Sequence, residues 1–382
     1  MVNSLSDEYI DPKEIYLWLK LKITKQDGTL YVAGNAEKYS PVDYLLNSMW
    51  SQVDVTLGDT LISQSNNTHP WKSQMEARFC ISGTSKFHFM KASGYYRDVE
   101  SAPDSPHKTR YKLCAESKDF TLYGRIHSDI FFQDKLIING VPLKIKLIRA
   151  SDAFCLLGDG LLPKLNLKDA VLFVRKVRLN PSILAAHAKI LSEKNAKYPI
   201  VRTETKAISL AANQHVHFID NVFLGRLPRK IIFGILSNEA HLGSYAKSPF
   251  NFQNHTINFV QVYTNSEAHP QRPFQPDFSN NIFAREYFSL YENVDQNHGG
   301  YHPLDIDYSE YAINSCLFAF DFNPDKNAGC GLGSYINIPK MGTLRIEIHF
   351  KTAPTAPLKL IVYGEFDSTI EINKNREVLT DY

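Results

Sequence analysis

Apolar and polar residues alternate with a period of two along most of this chain. Ile15, Leu17, Leu19, Leu21 and Ile23 alternate with Tyr16, Trp18, Lys20 and Lys22, which predicts a strand with one face against a core. Asp27-Gly28 supplies a turn after it. Val53, Val55 and Leu57 alternate with Asp54 and Thr56 as a second strand. Asn139-Gly140, set between Lys135–Ile138 and Val141–Leu147, predicts a hairpin with a type I′ turn. Pro142 cannot donate to a ladder, so its position belongs at an edge or a bulge. Ala170–Leu179 reads as a further buried strand.

The period then changes. Asn180-Pro181 is a helix-start signal, and Ile183, Leu184, His187, Ala188 and Leu191 follow at three- and four-residue spacing until the pattern fades near Tyr198-Pro199. A second short helix is predicted over Pro70–Ile81, with Trp71, Met75 and Phe79 on one face and Gly83 as its stop. From Ile200 strands resume at Ile231–Leu236, Ile257–Tyr263, Cys316–Phe322, Leu344–Phe350 and Leu358–Phe366. Many strands between Gly-, Pro- and Asn-rich turns predict sandwiches or barrels. The halves share a layout: Ser40-Pro41 precedes Val53–Leu57 much as Ser248-Pro249 precedes Phe259–Tyr263. Two sandwiches, at 1–180 and 200–382 and joined by a helical connection at 181–199, fit usual domain sizes.

Composition narrows the function. The 382 residues carry 42 Lys+Arg against 40 Asp+Glu, a net charge of +2 with no basic cluster at either end. That balance argues against nucleic-acid binding by the chain as a whole. Cys80, Cys114, Cys155, Cys316 and Cys330 form no Cys-x-x-Cys pair, so free thiols in a reducing compartment are expected. Nothing resembles a signal peptide or a membrane-spanning run, and synthesis in the cytosol follows. The glycosylation patterns at Asn66-Asn67-Thr68 and Asn254-His255-Thr256 are therefore expected to be idle.

Candidate chemistry is sparse. His215-Val216-His217 puts two imidazoles on one strand face, as cupin metalloenzymes do, but no acidic ligand and further His follow at a useful spacing. Asp305 and Asp307, near His302, are candidates for a hard cation. Gly329–Gly333 lacks the strand, helix and Lys of a phosphate loop, and Cys330 has no nearby His. No nucleophile elbow is present. The reading is therefore no catalytic, cofactor-binding or metal residue, and no enzyme. The irregular stretches Phe87–Arg110 and Ala268–Pro303, rich in aromatic residues, are candidates for partner contacts or for packing over sandwich ends.

Several segments together resemble a known family. They are Asp7–Asp11, Pro41–Val55, Gly124–Phe131, Asp152-Ala153-Phe154, Asn180-Pro181-Ser182 with Ala186-His187-Ala188, Asn221–Gly225 and Asn251-Phe252-Gln253. Leu317–Asp321, Glu365-Phe366-Asp367, Asn375-Arg376 and Thr380-Asp381-Tyr382 complete the set. The chain resembles the major capsid proteins of Polintons, or Mavericks, the virus-like DNA transposons of animal genomes. The resemblance implies an all-β double jelly roll, two eight-stranded β-sandwiches with short connecting helices. It also implies a virion capsid subunit forming homotrimers of six-lobed outline, which meet neighbouring capsomers and a minor (penton) capsid protein in an icosahedral shell. The alternatives are a jelly-roll glycan-binding protein using Tyr95 and Tyr96, and a cupin-like metalloenzyme using His215 and His217.

Overall fold

Ile15, Leu17, Leu19, Leu21 and Ile23 are all at most 3% exposed, so the alternation does place one face of this strand in a core. Each such side chain contributes ~1.5–3 kcal/mol by leaving water. The strand ends where Gly28, at φ +87°, turns the chain and donates its N–H to the Lys25 carbonyl at 3.0 Å. The computed structural model describes residues 1–2, 7–32, 39–81, 85–86, 88–98, 106–158, 160–294, 304, 306–323 and 340–381.

Strands in the first half are β1 (Glu8–Lys25), β2 (Tyr39–Pro41), β3 (Trp50–Leu57), β4 (Thr60–Leu61), β5 (Phe120–Arg125), β6 (Leu143–Arg149), β7 (Leu156–Gly158) and β8 (Pro163–Arg178). Their antiparallel pairing is nested: β1 with β8, β2 with β7 and β3 with β6. The innermost pair is not made, because β4 turns back on β3 and β5 pairs with β1.

The second half holds β9 (Ala196–Leu210), β10 (Val216–Ile219), β11 (Lys230–Ser237), β12 (Ile257–Thr264), β13 (Glu267–Phe274), β14 (Leu317–Asp321), β15 (Leu344–Phe350), β16 (Leu358–Ile372) and β17 (Val378–Thr380). Nesting is complete here: β9 with β16, β10 with β15, β11 with β14 and β12 with β13. Rolling up such a nested hairpin brings β11 beside β16 and β12 beside β15. The result is two sheets, β9-β16-β11-β14 and β10-β15-β12-β13, with β17 added on β16. This is a jelly roll, and the chain as a whole is an all-β double jelly roll. Among the described residues no strand pair joins the two halves.

Among the described residues five helices of six residues or more accompany the strands: α1 (His69–Cys80), α2 (Pro106–Cys114), α3 (Pro181–Glu193), α4 (Ala284–Val294) and α5 (Tyr308–Ile313). The start of α3 is the one the sequence predicts, with the Asn180 side chain accepting from Ser182 N–H at 3.0 Å and Pro181 in the first turn. The helix ends at Glu193, and β9 is already under way at Ala196.

Four expectations need correction. The Asn139-Gly140 turn forms, with Gly140 at φ +76°, but it does not close a hairpin. Ile137 instead exchanges hydrogen bonds with Ile10 at 2.8 and 3.0 Å, and β6, beginning after the donor-less Pro142, pairs with β3. Ala170–Leu179 lies on β8 but is not buried: Phe173 is 51% exposed, because no layer covers this side of β8 among the described residues. Ala268–Pro303 is not structureless; its described part contains all of α4 and most of β13, whose pattern Pro270 and Pro273 conceal. Finally, Val53–Leu57 belongs to the third strand of its half and Phe259–Tyr263 to the fourth of its own, so those segments are not equivalent.

Candidate functional site: the seam between the sandwiches and two outward faces

The search for chemistry ends mostly in packing. His215 is exposed and its Nδ1 lies 3.0 Å from the Phe350 carbonyl oxygen, whereas His217 is buried edge-on to the Phe350 ring. One imidazole is outside the sandwich and the other inside, so the pair does not converge on an ion. Asp307 caps α5: its N–H donates to the Glu310 carboxylate at 3.4 Å. The Ser309 hydroxyl holds the Asp307 carboxyl below its ordinary value. His302, Asp305, Gly329–Gly333 and Cys330 lie outside the described residues. No metal-binding group of three ligands occurs among the described residues.

The thiol expectation holds in part. Cys114, Cys155 and Cys316 are free and buried, and burial pushes the first two up to about 12. Cys80 is disulfide-bonded, contrary to the expectation of free thiols throughout. Tyr95 does not offer a platform to a glycan, since it is buried edge-on against Tyr44 at 5.6 Å. Both acceptor-pattern carboxamides are engaged, Asn66 with the Thr205 carbonyl and Asn254 with that of Ala312.

What sequence reasoning missed is the polar character of the seam. Helix α1 is enclosed on every side, its charged Lys72, Glu76 and Arg78 included. Lys72 Nζ lies 2.5 Å from Asp129 Oδ1, and His127 Nδ1 lies 2.5 Å from Glu76 Oε2. With Nδ1–H donating to Glu76, His127 Nε2 accepts from the Tyr44 hydroxyl at 2.7 Å. Thr203, from β9, completes the cluster by donating N–H to Asp129 Oδ2 at 3.0 Å and its hydroxyl to Asp129 Oδ1 at 2.8 Å. Further links cross between the halves. Trp71 donates to the Pro249 carbonyl at 3.0 Å and stacks on His241 at 4.7 Å. Arg97, in the Phe87–Arg110 stretch, pairs with Glu310 at 2.9 Å.

Tyr44, His127 and Glu76 have the connectivity of a proton relay, but burial raises the Tyr44 hydroxyl far above 10.0. The protonated hydroxyl donates its hydrogen bond to His127 Nε2. A 490 Å³ cavity adjoins the cluster, lined by Glu76, His127, Asp129, Thr203, Tyr363 and Glu365. The Lys72–Asp129 and His127–Glu76 pairs lie within the first half, and removing one partner of such a buried pair costs about 3–5 kcal/mol; the bonds of Thr203, Trp71 and Arg97 tie this cluster to the second half.

Two outward faces carry aromatic residues without a covering layer among the described residues. On the β5-β1-β8 sheet, Tyr16 stacks on Tyr123 at 5.4 Å, Tyr123 meets the edge of Phe173 at 6.0 Å, and Arg125 lies over both Tyr16 and Phe132. On the β10-β15-β12-β13 sheet, Arg345 sits 4.6 Å from the Phe218 ring and 5.8 Å from that of Tyr263, while His349 stacks on Phe259. Contiguous exposed aromatic and Arg surface marks interaction sites. Among the described residues no helix is long and apolar enough to cross a membrane.

No protein-family model matches the sequence. An uncharacterized protein of Caenorhabditis elegans is 21% identical over 396 aligned positions, covering 100% of this chain and 92% of its own length. A chain of the Sputnik virophage is similar in structure at a TM-score of 0.63 with 10% identity, over 99% of this chain and 84% of that one. The mavirus major capsid protein matches at 0.53 with 10% identity, over 98% and 84%. The Faustovirus major capsid protein matches at 0.55 with 8% identity, over 97% and 87%. These structural neighbours are viral major capsid proteins of double jelly-roll type, and at this identity they show that the chain shares their fold.

Proposed function

We propose that this chain is a major capsid protein of the Polinton (Maverick) type, a structural subunit whose copies close into homotrimeric capsomers of a virion capsid. One observation carries the reading: two nested jelly rolls, locked by a buried polar seam, align along nearly the whole chain with viral major capsid proteins. The first sandwich takes residues 1–180, α3 connects, and the second sandwich begins with β9 at Ala196, four residues before the boundary expected from sequence. In this reading the function is geometric. Cyclic closure of three copies needs a heterologous contact, and the aromatic faces on the two sandwiches are two different surfaces able to meet across it. Neighbouring capsomers and a minor penton protein are the partners, with synthesis in the host cytoplasm before assembly.

Electron microscopy of the expressed full chain tests this reading. Discrete threefold particles of six-lobed outline are expected; featureless single-chain particles at micromolar concentration contradict it.

A further inference from the structure

Helix α3 crosses the surface with none of its residues buried, although Leu184 and Leu191 turn inward. Beneath it lies a cleft of 660 Å³, within the ~300–1,000 Å³ range of small-molecule sites. Its walls include Ile138, Leu179, Leu184, Leu191 and Tyr198. An apolar helix face over a cleft of this size leaves many side-chain atoms without packing partners, which protein interiors avoid.

The charge at the cleft is one-sided. Lys135, Lys194, Lys197 and Arg376 line it, and among the described residues no carboxylate does. Lys197 pairs with Glu371 just outside, at 3.0 Å. Among the described residues the Arg376 guanidinium donates to a neutral partner, the Asn139 carboxamide oxygen at 2.8 Å. Lys194, at the end of α3, is exposed. Polar hydroxyls stand near these cations: Tyr9 OH lies 3.1 Å from His187 Nδ1, and Tyr198 OH donates to the Leu136 carbonyl at 3.1 Å. Tyr9, Tyr198 and Arg376 all line the cleft.

We propose that the cleft beneath α3 binds a single-chain aliphatic carboxylate. Its alkyl tail lies along Ile138, Leu179, Leu184 and Leu191, and its head group meets Arg376 and Lys194. An apolar wall explains the tail, and four cations, of which Lys197 alone has an acid beside it among the described residues, explain an anionic head over a neutral one. The proposal is independent of capsid assembly, so a protein that stays monomeric yet binds the amphiphile leaves it standing.

Calorimetric titration of the full chain with sodium dodecanoate below its micellar concentration tests it, with dodecyl maltoside as the neutral-head control. Saturable binding of one dodecanoate per chain is expected, with no saturable binding of the maltoside. The double variant Lys194→Gln/Arg376→Gln is expected to bind roughly tenfold more weakly or less tightly still. Ala188→Phe, which narrows the cleft from its exposed lip, is expected to abolish binding while leaving the unfolding temperature within a few degrees. Absence of saturable dodecanoate binding, equal binding of the maltoside, or unchanged affinity in the charge variant overturns the proposal. So does an Ala188→Phe protein that dissociates into single chains while the wild type takes up no dodecanoate, since the cleft is then a contact between copies.

Discussion

Thr203 shows how much a single side chain does at the seam, where its N–H and hydroxyl satisfy both oxygens of Asp129, a residue 74 positions earlier. Nothing in the local pattern around Thr203 or Asp129 announces this. Thr203 lies within a strand and Asp129 opens a short 3-10 turn, and a pairing across such a distance leaves no periodic trace. Buried histidines are equally silent in sequence, and they set a pH dependence. Burial lowers His241 and His255 from 6.5 to about 4, and lowers His69 well below 6.5. The sign follows from linkage. As pH falls from 6.5 towards 4, the unfolded chain takes up protons that the folded one refuses, so stability is lost over that window. Asp43, Glu286 and Asp321, raised by burial, oppose the trend at its acid end. The comparison that isolates the histidines is therefore between variants. Denaturant midpoints at pH 7.5 and pH 4.5 are expected to fall further in the wild type than in a His241→Gln/His255→Gln protein. An equal drop in both contradicts the assignment.

At the scale of the element, legibility follows length and periodicity. β1, β3, β15 and the start of α3 were open to sequence reading because alternating runs or a capping pair occupy consecutive positions. The three-residue strands β2 and β7 are too short to show a period, yet they form the second rung of the first jelly roll. Helix α1 was predicted as amphipathic and proves to be enclosed all round. Its hydrophilic face is hidden because Asp129 and His127 pair the Lys72 and Glu76 charges, while Arg78 donates to the Phe250 carbonyl at 3.3 Å and lies over the Phe252 ring. Gly124 carries a similar unannounced constraint. A Cβ there would stand 2.1 Å from Ser93 Oγ, so only glycine lets β5 pass this close to the preceding segment. The helix-start reading makes a quantitative prediction. Asn180→Ala removes the bond to Ser182 N–H and is expected to cost about 1 kcal/mol, read from chemical denaturation. A loss below about 0.3 kcal/mol would mean that α3 is held by its flanking strands and not by its cap.

For the molecule as a whole, the nested pairing order is the feature that defines the architecture. Sequence showed that strands were many and that a helix divided them. Which strand meets which became visible only in the pairing of β9 with β16 and its three inner rungs. In the first half, the pairing of β1 with β5 and β8 turns Tyr16, Tyr123 and Phe173 outward together, an aromatic surface assembled from three separated segments. A protein of balanced charge thus carries exposed aromatic faces on both sandwiches. The most direct test is the mass of the purified full chain by size-exclusion chromatography with light scattering. The account predicts three times 43.5 kDa at micromolar concentration, reduced to one chain by Phe173→Asp. A wild-type protein that elutes at the mass of one chain under the same conditions contradicts it.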